Sequence, residues 1–446
     1  MPEIGRCPHR FSHRPGASNS RLSDRCVKVC QAQAVPSWAF RTRFDRSGAG
    51  AIFGSVQPRY SRPVYFCAPI RTPIGKFGGA LADKTAADLG THAAKACLQA
   101  AGIDPAVVDL TIMGNGRQAG VGPNVGRQIA HRAGVPDAIP AYTINQACAS
   151  SLVGIIQAWQ TVALGDADLV LAGGTEAMSR TPYLLLRARW GYRLGHGELV
   201  DGMYRDGFLC PLCGDLMGET AETLAERYGI ARHEQDSYAA ESQRRHAAAQ
   251  EAGRWEAEIA PFENGLAEDE HPRPATTVEK LAKLPPVFRS DGTVHAGNAS
   301  GITDGAAAVL VASAEAVEEH GLEPMARLVD WSNVGVDPAI MGIGPVPAVR
   351  GLLDRQQLSL EDIDLIELNE AFAAQVLAVA RDLELDLDKV NVNGGAIALG
   401  HPIGATGARI VVTLLHEMAR RGSRLGIATL CVSGGMGTAM LVERTA

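Results

Sequence analysis

Aromatic residues and long hydrophobic runs are both scarce in this sequence. Only 5% of its 446 residues are Phe, Trp or Tyr, whereas 49 are Gly. This balance disfavours an aromatic-cored β-sandwich and favours closely packed helices with glycine-rich turns. No run of about 18 consecutive apolar residues occurs, which predicts that no segment spans a membrane. With 46% hydrophobic and 20% charged residues, the chain is long enough for two or three core units.

Acidic residues are scarce in residues 1–62, which hold 11 Lys and Arg against 3 Asp and Glu. The rest of the chain is acidic, and the net charge is −7. Because the basic segment is rich in Pro, Ser and Gly and lacks hydrophobic periodicity, we predict no nucleic-acid binding. One interpretation is a disordered extension, or an upstream start codon, in a cytoplasmic protein. The alternative is a mitochondrial transit peptide, which would place the enzyme in the matrix.

Disulfide-type cysteine spacing is also missing. The nine cysteines are odd in number and spread over a long chain, which favours reduced, cytosol-like conditions over a disulfide framework. Cys210 and Cys213 have CxxC spacing, but a zinc site needs two further ligands and no second CxxC pair follows. We therefore predict no bound metal.

From residue 63 onward, short apolar runs alternate with amphipathic stretches, which predicts an α/β fold. A helix starting near residue 148 has apolar side chains at helical spacing and ends at a glycine. Further helices are predicted at residues 85–101, 371–381 and 405–420. Strands are predicted at residues 63–68, 109–114, 169–172, 364–369, 426–432 and 438–442.

The chain contains an internal duplication. The predicted strand at 109–113 matches that at 364–368, and residues 168–174 match 425–434. We therefore predict two similar α/β halves packed about a pseudo-twofold axis. A segment rich in Arg, Glu, His and Pro interrupts this plan and indicates an inserted loop (lid) domain over the site. The predicted domains are an extension at 1–62, an N-terminal half at 63–177 completed by 303–323, the loop domain at 178–302, and a C-terminal half at 324–446.

Four polar residues occupy strand ends or helix starts, where the ligand crevice of an α/β sheet lies. Cys148 lies where a loop becomes a helix, and the N–H groups there are expected to lower its thiol pKa below about 8.5. His401, in a Gly-His-Pro turn, can accept a thiol proton or donate to an oxyanion. Cys431 ends an apolar strand, and Asn369 marks a strand-to-helix junction. The structural alternatives are core packing for the cysteines, a turn cap for His401 and a helix cap for Asn369.

Seven motifs make residues 63–446 resemble the thiolase family throughout. They occur in the family's order, at residues 71–77, 145–150, 173–179, 297–306, 369–373, 400–404 and 431–437. The resemblance implies a duplicated α/β/α/β/α fold and an acetyl-CoA C-acyltransferase. Such an enzyme reversibly cleaves 3-oxoacyl-CoA with CoA, or condenses acetyl-CoA with an acyl-CoA. Residues 1–62 have no counterpart in the family's core.

The resemblance also implies a role for each polar residue. Cys148 is expected to carry the acyl group, and His401 to activate it and help to hold an oxyanion. Cys431 is expected to move the proton on the α-carbon. Asn369 is expected to position a water in one oxyanion hole. The N–H of Cys148, with one from the turn after Cys431, would form a second hole.

The expected partners are CoA, acetyl-CoA and acyl-CoA, with CoA as the carrier and no permanently bound cofactor. Arg273 and Ser300 match CoA contacts of relatives, and Met341 and Phe372 match residues around the acyl chain. A surface charge, a turn and core packing are the alternative roles for these four. Family members are dimers or tetramers, so a homodimer or homotetramer is expected.

Two departures from the family pattern bear on the site. Ser433 stands where many relatives have Gly, which would be costly if that residue has a positive φ. Tyr183 stands where acetoacetyl-CoA-specific relatives often have His, which leaves room for longer acyl chains.

Three other functions are alternatives to this one. A 3-oxoacyl-carrier-protein synthase belongs to the same superfamily but uses a different catalytic set. A non-catalytic CoA-binding protein would be expected to lose Cys148, His401 or Cys431, and all three are present. A cysteine hydrolase would release a free acid rather than an acyl-CoA.

Overall fold

The computed structural model describes residues 56–263 and 265–445. Both interpretations of the basic leader fall mainly on residues 1–55, which lie outside the described residues. The strands are β1 Val64–Arg71, β2 Gly75–Lys76, β3 Leu110–Gly114, β4 Ala141–Ile144, β5 Leu169–Ala177, β6 Tyr183–Leu184, β7 Val200–Asp201, β8 Thr303–Ser313, β9 Pro324–Gly335, β10 Leu365–Leu368, β11 Leu425–Val432 and β12 Met436–Arg444. The helices are α1 Ala86–Ala101, α2 Val125–Ala133, α3 Ser150–Leu164, α4 Met217–Tyr228, α5 Arg232–Glu251, α6 Val278–Leu281, α7 Ala314–His320, α8 Pro345–Gln356, α9 Ala373–Leu383, α10 Ala396–Leu399 and α11 Ile403–Arg421.

The sheet topology repeats. The strand order is β10-β11-β12-β9-β1-β8-β5-β3-β4, with β2 paired to β8. In one half, one parallel and two antiparallel pairings join the strands in the order β3, β5, β8 and β1. The other half repeats this pattern in the order β10, β11, β12 and β9. At the centre, β1 and β9 pair with each other in antiparallel fashion. A twofold rotation between them exchanges the halves, so the predicted duplication is confirmed.

A backbone anchor recurs in both halves. Asp109 accepts the N–H groups of the two residues that open β5, at 2.8 and 2.9 Å. Asp364 accepts those of the two residues that open β11, at 2.7 and 3.0 Å. Asp109 directly precedes β3 and Asp364 directly precedes β10, and each carboxylate ties its strand to the parallel neighbour, so the duplication extends to side-chain detail.

Helices α3 and α11 form the middle of five layers. They share one core cluster with the inner faces of both sheet halves, whereas α1 and α2 cover one outer face and α8 and α9 the other. A helix buried on nearly all sides is expected to be apolar all round. Residues 147–164 are accordingly long and apolar enough to pass a length-and-composition test for a membrane span, but Ile155 and Trp159 are buried in this core. The two helices lie so close that a Cβ at Gly407 would overlap the backbone of Leu152.

Strand β5 continues past the predicted end at residue 172, to Ala177. Gly173 and Gly174, which follow the predicted strand in the sequence, both lie within β5. A Cβ at Gly173 would overlap Ala307 O on the neighbouring strand, and one at Gly174 would overlap Gly404 O of α11. The glycines therefore permit β5 to pack closely against β8 and α11.

Residues 56–62, assigned from the sequence to the basic extension, pack on the body. The Tyr60 ring lies 4.9 Å from the Trp159 ring, and Arg62 forms ion pairs with Asp168 and Glu315. Between β5 and β8, the described part of the chain forms β6, β7, α4, α5 and α6 and short turns, with α4 packed on α9 and α5 on α9 and α10. The assignment of residues 178–302 to one loop domain stays an interpretation.

Candidate active site

A cavity of about 500 Å³ opens where α3, α11 and β11 meet the segment between β5 and β8. The structure brings seven of the eight predicted site residues to its walls: Cys148, Arg273, Ser300, Met341, Phe372, His401 and Cys431. The eighth, Asn369, is fully buried after β10, outside the lining residues.

Cys148 is presented by a tight turn between β4 and α3. The preceding residue, Ala147, has φ +45°, a left-handed conformation that is uncommon outside glycine and is strained. Asn145 Oδ1 accepts the Ala147 N–H at 3.0 Å, while Ser150 Oγ donates to Ala147 O at 2.6 Å. Local hydrogen bonds thus hold the strained turn that directs Cys148 into the cavity.

The electrostatics of Cys148 differ from the sequence expectation. Burial raises the pKa of the Cys148 thiol above its ordinary value. The N–H of Ser433, which hydrogen-bonds the sulfur, and the positive charge of Arg117 act in the opposite direction but do not outweigh burial. The resting side chain is therefore a neutral thiol, and forming the thiolate requires a nearby base.

His401, which also lines the cavity, has an imidazole nitrogen that is free to accept a proton. Burial, assisted by the charges of Arg409 and Arg117, lowers the pKa of the imidazole to about 3, so it is neutral at pH 7. Its Nδ1 lies 2.6 Å from Thr406 Oγ1, and that hydroxyl donates its proton to Pro402 O at 3.0 Å. Nδ1 must then carry the imidazole proton and donate it to Thr406. Nε2 is left with a lone pair, and within the described residues it has no hydrogen-bond partner.

Cys431 lies near the end of β11, paired in register with Gly437 of β12. Burial raises the pKa of its thiol, and the neighbouring Cys148 sulfur adds to the effect. The turn that follows has positive φ at Gly434 (+89°) and Gly435 (+83°), but not at Ser433. The cost expected for Ser433 in place of glycine therefore does not arise, because the two glycines adopt the left-handed conformation.

Asn369 does not cap the following helix. The N-cap of α9 is Phe372, without a side-chain cap. The Asn369 N–H donates to Thr429 O on β11 at 3.0 Å, but its side-chain oxygen and nitrogen are buried without a hydrogen-bond partner among the described residues. A buried amide of this kind calls for an additional polar partner. The next residue, Glu370, is by contrast fully engaged with Tyr238, Ser242, Asn391 and the Ile397 N–H.

The remaining predicted site residues are two apolar and two polar side chains. Met341 and Phe372 are apolar, and the Phe372 ring packs edge-on against Phe288 at 6.2 Å between centroids. Arg273 brings a positive charge to the wall, and the Ser300 N–H donates to Ala371 O at 3.0 Å. Tyr183, in contrast, is 61% exposed and is not among the residues that line the cavity.

Sequence reasoning missed Arg117 and Glu176. The Glu176 carboxylate accepts the N–H groups of Gly116, Arg117 and Gly404 at 2.8 to 3.2 Å. It thereby joins a loop of the first half to the first turn of α11 in the second. Arg117 lines the cavity and donates to Asp206 O at 3.1 Å. The 173–179 motif contained Glu176, but nothing in the sequence indicated its partners.

Comparisons with known proteins match most of the chain to one family. The family described as Thiolase, N-terminal domain matches residues 64–315, and that described as Thiolase, C-terminal domain matches residues 322–444. The acetyl-CoA acetyltransferase of Pseudomonas aeruginosa is 50% identical over 389 residues, which cover 85% of this chain and 99% of the relative. The mitochondrial 3-ketoacyl-CoA thiolase of Homo sapiens is 47% identical over 395 residues, covering 86% of this chain and 99% of the relative.

Solved structures of proteins with these same two names are similar to this chain in fold. The human mitochondrial 3-ketoacyl-CoA thiolase in complex with CoA has a TM-score of 0.85 and 46% identity, covering 88% of this chain and all of that one. The Bacillus anthracis acetyl-CoA acetyltransferase has a TM-score of 0.84 at 46% identity, with 86% of this chain covered. Fold and relatives together define an acyltransferase. The chain belongs to the thiolase family, and the resemblance drawn from its motifs is confirmed.

Proposed function

We propose that this thiolase cleaves a 3-oxoacyl-CoA with CoA, and catalyses the reverse condensation of acetyl-CoA with an acyl-CoA, through an acyl-enzyme on Cys148. The observation that carries the proposal is the meeting of two thiols and one neutral imidazole in a single cavity. Acyl transfer needs a nucleophile and a base, and the carbon–carbon step needs a second acid–base group. Relatives named for both activities support it.

In the cleavage direction, His401 Nε2 takes the Cys148 proton and the thiolate attacks the 3-oxo carbon. The bond between C2 and C3 breaks, leaving the acyl group on sulfur and a carbanion on acetyl-CoA. Cys431 gives its proton to that carbanion. CoA then attacks the acyl-Cys148 thioester, its thiol proton returns to the enzyme, and acyl-CoA leaves.

Two oxyanions need stabilisation along this path. The N–H groups of Cys148 and Ser433 flank the Cys148 sulfur, where the oxygen of the tetrahedral intermediate develops. The second oxyanion is the enolate oxygen of acetyl-CoA. We assign it to His401 and to a water positioned by the buried Asn369 amide, which has no other partner among the described residues.

The substrate carrier is CoA, bound as substrate and product. Arg273 and Lys76 bring positive charge to the cavity wall, and Ser300 also lines it. We assign the two cations to the phosphates and Ser300 to the pantetheine arm. Met341 and Phe372 would surround the acyl chain. The solved human relative binds CoA, which supports this assignment.

Assembly and compartment are proposed from the family resemblance and from the sources of the relatives. We propose a homodimer or homotetramer acting in fatty acid metabolism, including β-oxidation. The bacterial relatives support a cytoplasmic location, and the human mitochondrial relative supports the matrix alternative. Light scattering on the purified chain and imaging of the full-length protein fused at its C-terminus test these two assignments.

A CoA-dependence assay tests the activity. The purified chain is given 3-oxoacyl-CoAs from four to sixteen carbons, with and without CoA, and the acyl-CoA products are separated. A thiolase consumes substrate only with CoA and gives acetyl-CoA plus a shortened acyl-CoA. Free acid formed without CoA would instead identify a hydrolase. The proposal would be overturned if no 3-oxoacyl-CoA of any chain length were cleaved and the unaltered chain were as inactive as Cys148→Ser.

A further inference from the structure

Cys210 and Cys213 occupy one tight turn that the proposed reaction does not use. The turn is closed by a bridge between Leu209 and Leu216, and by hydrogen bonds from Cys210 N to Asp215 O and from Gly214 N to Cys210 O, both 2.9 Å. Inside it, the two thiols hydrogen-bond each other. Cys210 is buried and Cys213 is partly exposed, so one sulfur faces solvent and the other faces inward.

The inward sulfur touches the turn that follows Cys431. Cys210 accepts the N–H of Gly434, and together with Leu212 it shares a second cavity with Ser433 and Gly434. A Cβ placed on Gly434 would lie 3.8 Å from Leu212 Cδ1, so the Leu212 side chain lies beside the 433–434 turn. The Ser433 N–H in turn hydrogen-bonds the Cys148 sulfur. Cys210 is therefore linked to Cys148 through only two backbone amides, those of Gly434 and Ser433.

The dithiol has the properties of a reactive pair. Burial opposes ionisation of Cys210, but the N–H groups of Cys213 and Leu212 and the Cys213 side chain outweigh it and lower the Cys210 pKa. Burial, and then the Cys210 sulfur, raise the pKa of Cys213. A thiol of lowered pKa beside a second, more accessible cysteine is the arrangement found in reversible thiol–disulfide chemistry.

We propose that Cys210 and Cys213 are a redox modification site, at which a low-molecular-weight disulfide forms a Cys210–Cys213 bond that displaces the 433–434 turn and slows acyl transfer. This inference goes beyond the proposed function, since no step of thiolysis needs either residue.

The chemistry is two successive exchanges with a small disulfide, RSSR. Cys213, the more accessible cysteine, loses its proton and its sulfur attacks one sulfur of RSSR, forming a mixed disulfide and releasing RS⁻. The Cys210 thiolate then attacks the Cys213 sulfur and releases a second RS⁻. The protein loses two electrons, RSSR gains them, and the two thiol protons end on two RSH molecules. Oxidation commits the Cys210 sulfur to the disulfide and weakens its hydrogen bond with the Gly434 N–H, so the 433–434 turn loses this support.

Peptide mapping tests the bond directly. Trypsin cleaves after Arg205 and Arg227, and the intervening peptide contains Cys210 and Cys213 and no other cysteine. The full-length protein is equilibrated with glutathione disulfide and glutathione at several ratios, then alkylated and digested. The expected product is this peptide unalkylated and two hydrogen atoms lighter, and dithiothreitol reverses the change. A peptide that stays doubly alkylated at every ratio would overturn the proposal.

Activity links the bond to function. Complete loss of one oxyanion donor costs about 10²–10³-fold in kcat, so partial displacement of Ser433 is expected to slow thiolysis roughly tenfold. Cys213→Ser is expected to keep the reduced rate within about twofold and to lose the response to glutathione disulfide. Cys97→Ser, which removes a buried thiol elsewhere, is the matched control and keeps the response.

Two outcomes would contradict the proposal. If Cys213→Ser loses activity under oxidation as fully as the unaltered chain, the sensitive pair is Cys148 with Cys431. If the bond forms and the rate does not change, the turn is not displaced. The peptide measurement on the unaltered chain decides the first half of the proposal even if Cys213→Ser does not fold. Absence of any thiolysis in the reduced chain would instead count against the proposed function.

Discussion

His401 and Thr406 are joined by a hydrogen bond of 2.6 Å between Nδ1 and Oγ1, across the first turn of α11. The Thr406 hydroxyl is itself oriented by Pro402 O, so this one contact determines which imidazole nitrogen carries the proton. A base directed at Cys148 is useful only in that tautomer, with Nε2 free of a proton. Thr406 is therefore a positioning residue that acts through His401.

Replacing Thr406 tests this role. Thr406→Val keeps the shape but removes the acceptor, so we expect kcat to fall by roughly 10–100-fold while KM for the acyl-CoA changes little. Thr406→Ser keeps the hydroxyl and is expected to retain most of the activity. Steady-state kinetics on both variants, with thermal unfolding to compare stability, make the measurement. An unchanged kcat in Thr406→Val would show that another group fixes the tautomer.

The proposed roles of Cys148 and Cys431 predict that their variants lose different steps of the reaction. Cys431→Ala should still be acetylated at Cys148 by acetyl-CoA, but its rate of carbon–carbon cleavage should fall by about 10²–10⁴-fold, because the acid for the carbanion is missing. Cys148→Ser should do neither. Mass spectrometry of the intact protein after mixing with acetyl-CoA counts the acetyl groups. Loss of acetylation in Cys431→Ala would contradict the separation of roles.

Cys148 should also be the preferred target of iodoacetamide. The neutral thiol gains reactivity from His401, so inactivation should accompany alkylation of Cys148, and acetyl-CoA should slow both. Peptide mapping of the alkylated cysteine, with and without acetyl-CoA, makes the measurement. Alkylation of an exposed cysteine with full loss of activity, and no label at Cys148, would argue against the proposed nucleophile.

The buried imidazole predicts a pH dependence of stability. The pKa of His401 is lowered to about 3 in the folded chain, whereas an unfolded histidine titrates near about 6.5. Between these values the unfolded state binds more protons, so His401 contributes a loss of stability as pH falls below about 6.5. Relative to His401→Gln, the unfolding free energy should fall by about 2 kcal/mol between pH 7 and 5. Denaturant unfolding of both proteins across this range tests it, and parallel curves would contradict a buried neutral imidazole.

Glu176 is expected to matter for stability more than its position near the cavity suggests. Glu176→Gln replaces one acceptor oxygen with an amide donor that faces backbone N–H groups, and should cost about 1–3 kcal/mol of unfolding free energy. The exposed Glu318→Gln is the matched control and should change little. Denaturant titration gives both values. Equal values for the two variants would show that the 116–117 loop and α11 are held together by other contacts.

The sequence predicted the parts of the fold that follow hydrophobic periodicity. Helix α1 and strand β11 were predicted nearly to the residue, since each has an apolar pattern bounded by a cap or a turn. Helix α5 was not predicted. Its buried face is largely polar and includes Gln235, Asp236 and Gln243, so no apolar stripe marks it. Its burial depends on partners such as His295, which binds Asp236 at 2.7 Å from 59 residues away.

The residues of the candidate site also divide into those that the sequence predicted and those that it did not. Cys148, His401 and Cys431 were found because each lies in a short motif at a strand end or helix start. Arg117 and Glu176 were not, because their importance comes from contacts between distant segments. The bond from Gly404 N–H to Glu176 spans 228 residues and has no signature in either local sequence. The prediction of a lowered pKa for Cys148 was wrong. Its position at a helix start could be predicted from the sequence, whereas its burial could not.

The pairing of β8 with β5 and β1 sets an order for folding during synthesis. The ribosome must add all residues from 178 to 302 after β5 before β8 can enter the first half of the sheet. At about 5–20 residues per second this interval lasts roughly 6–25 s. Throughout it, β5 and β1 present apolar edges without their shared neighbour, so the nascent first half should be the stage of biosynthesis most dependent on chaperones.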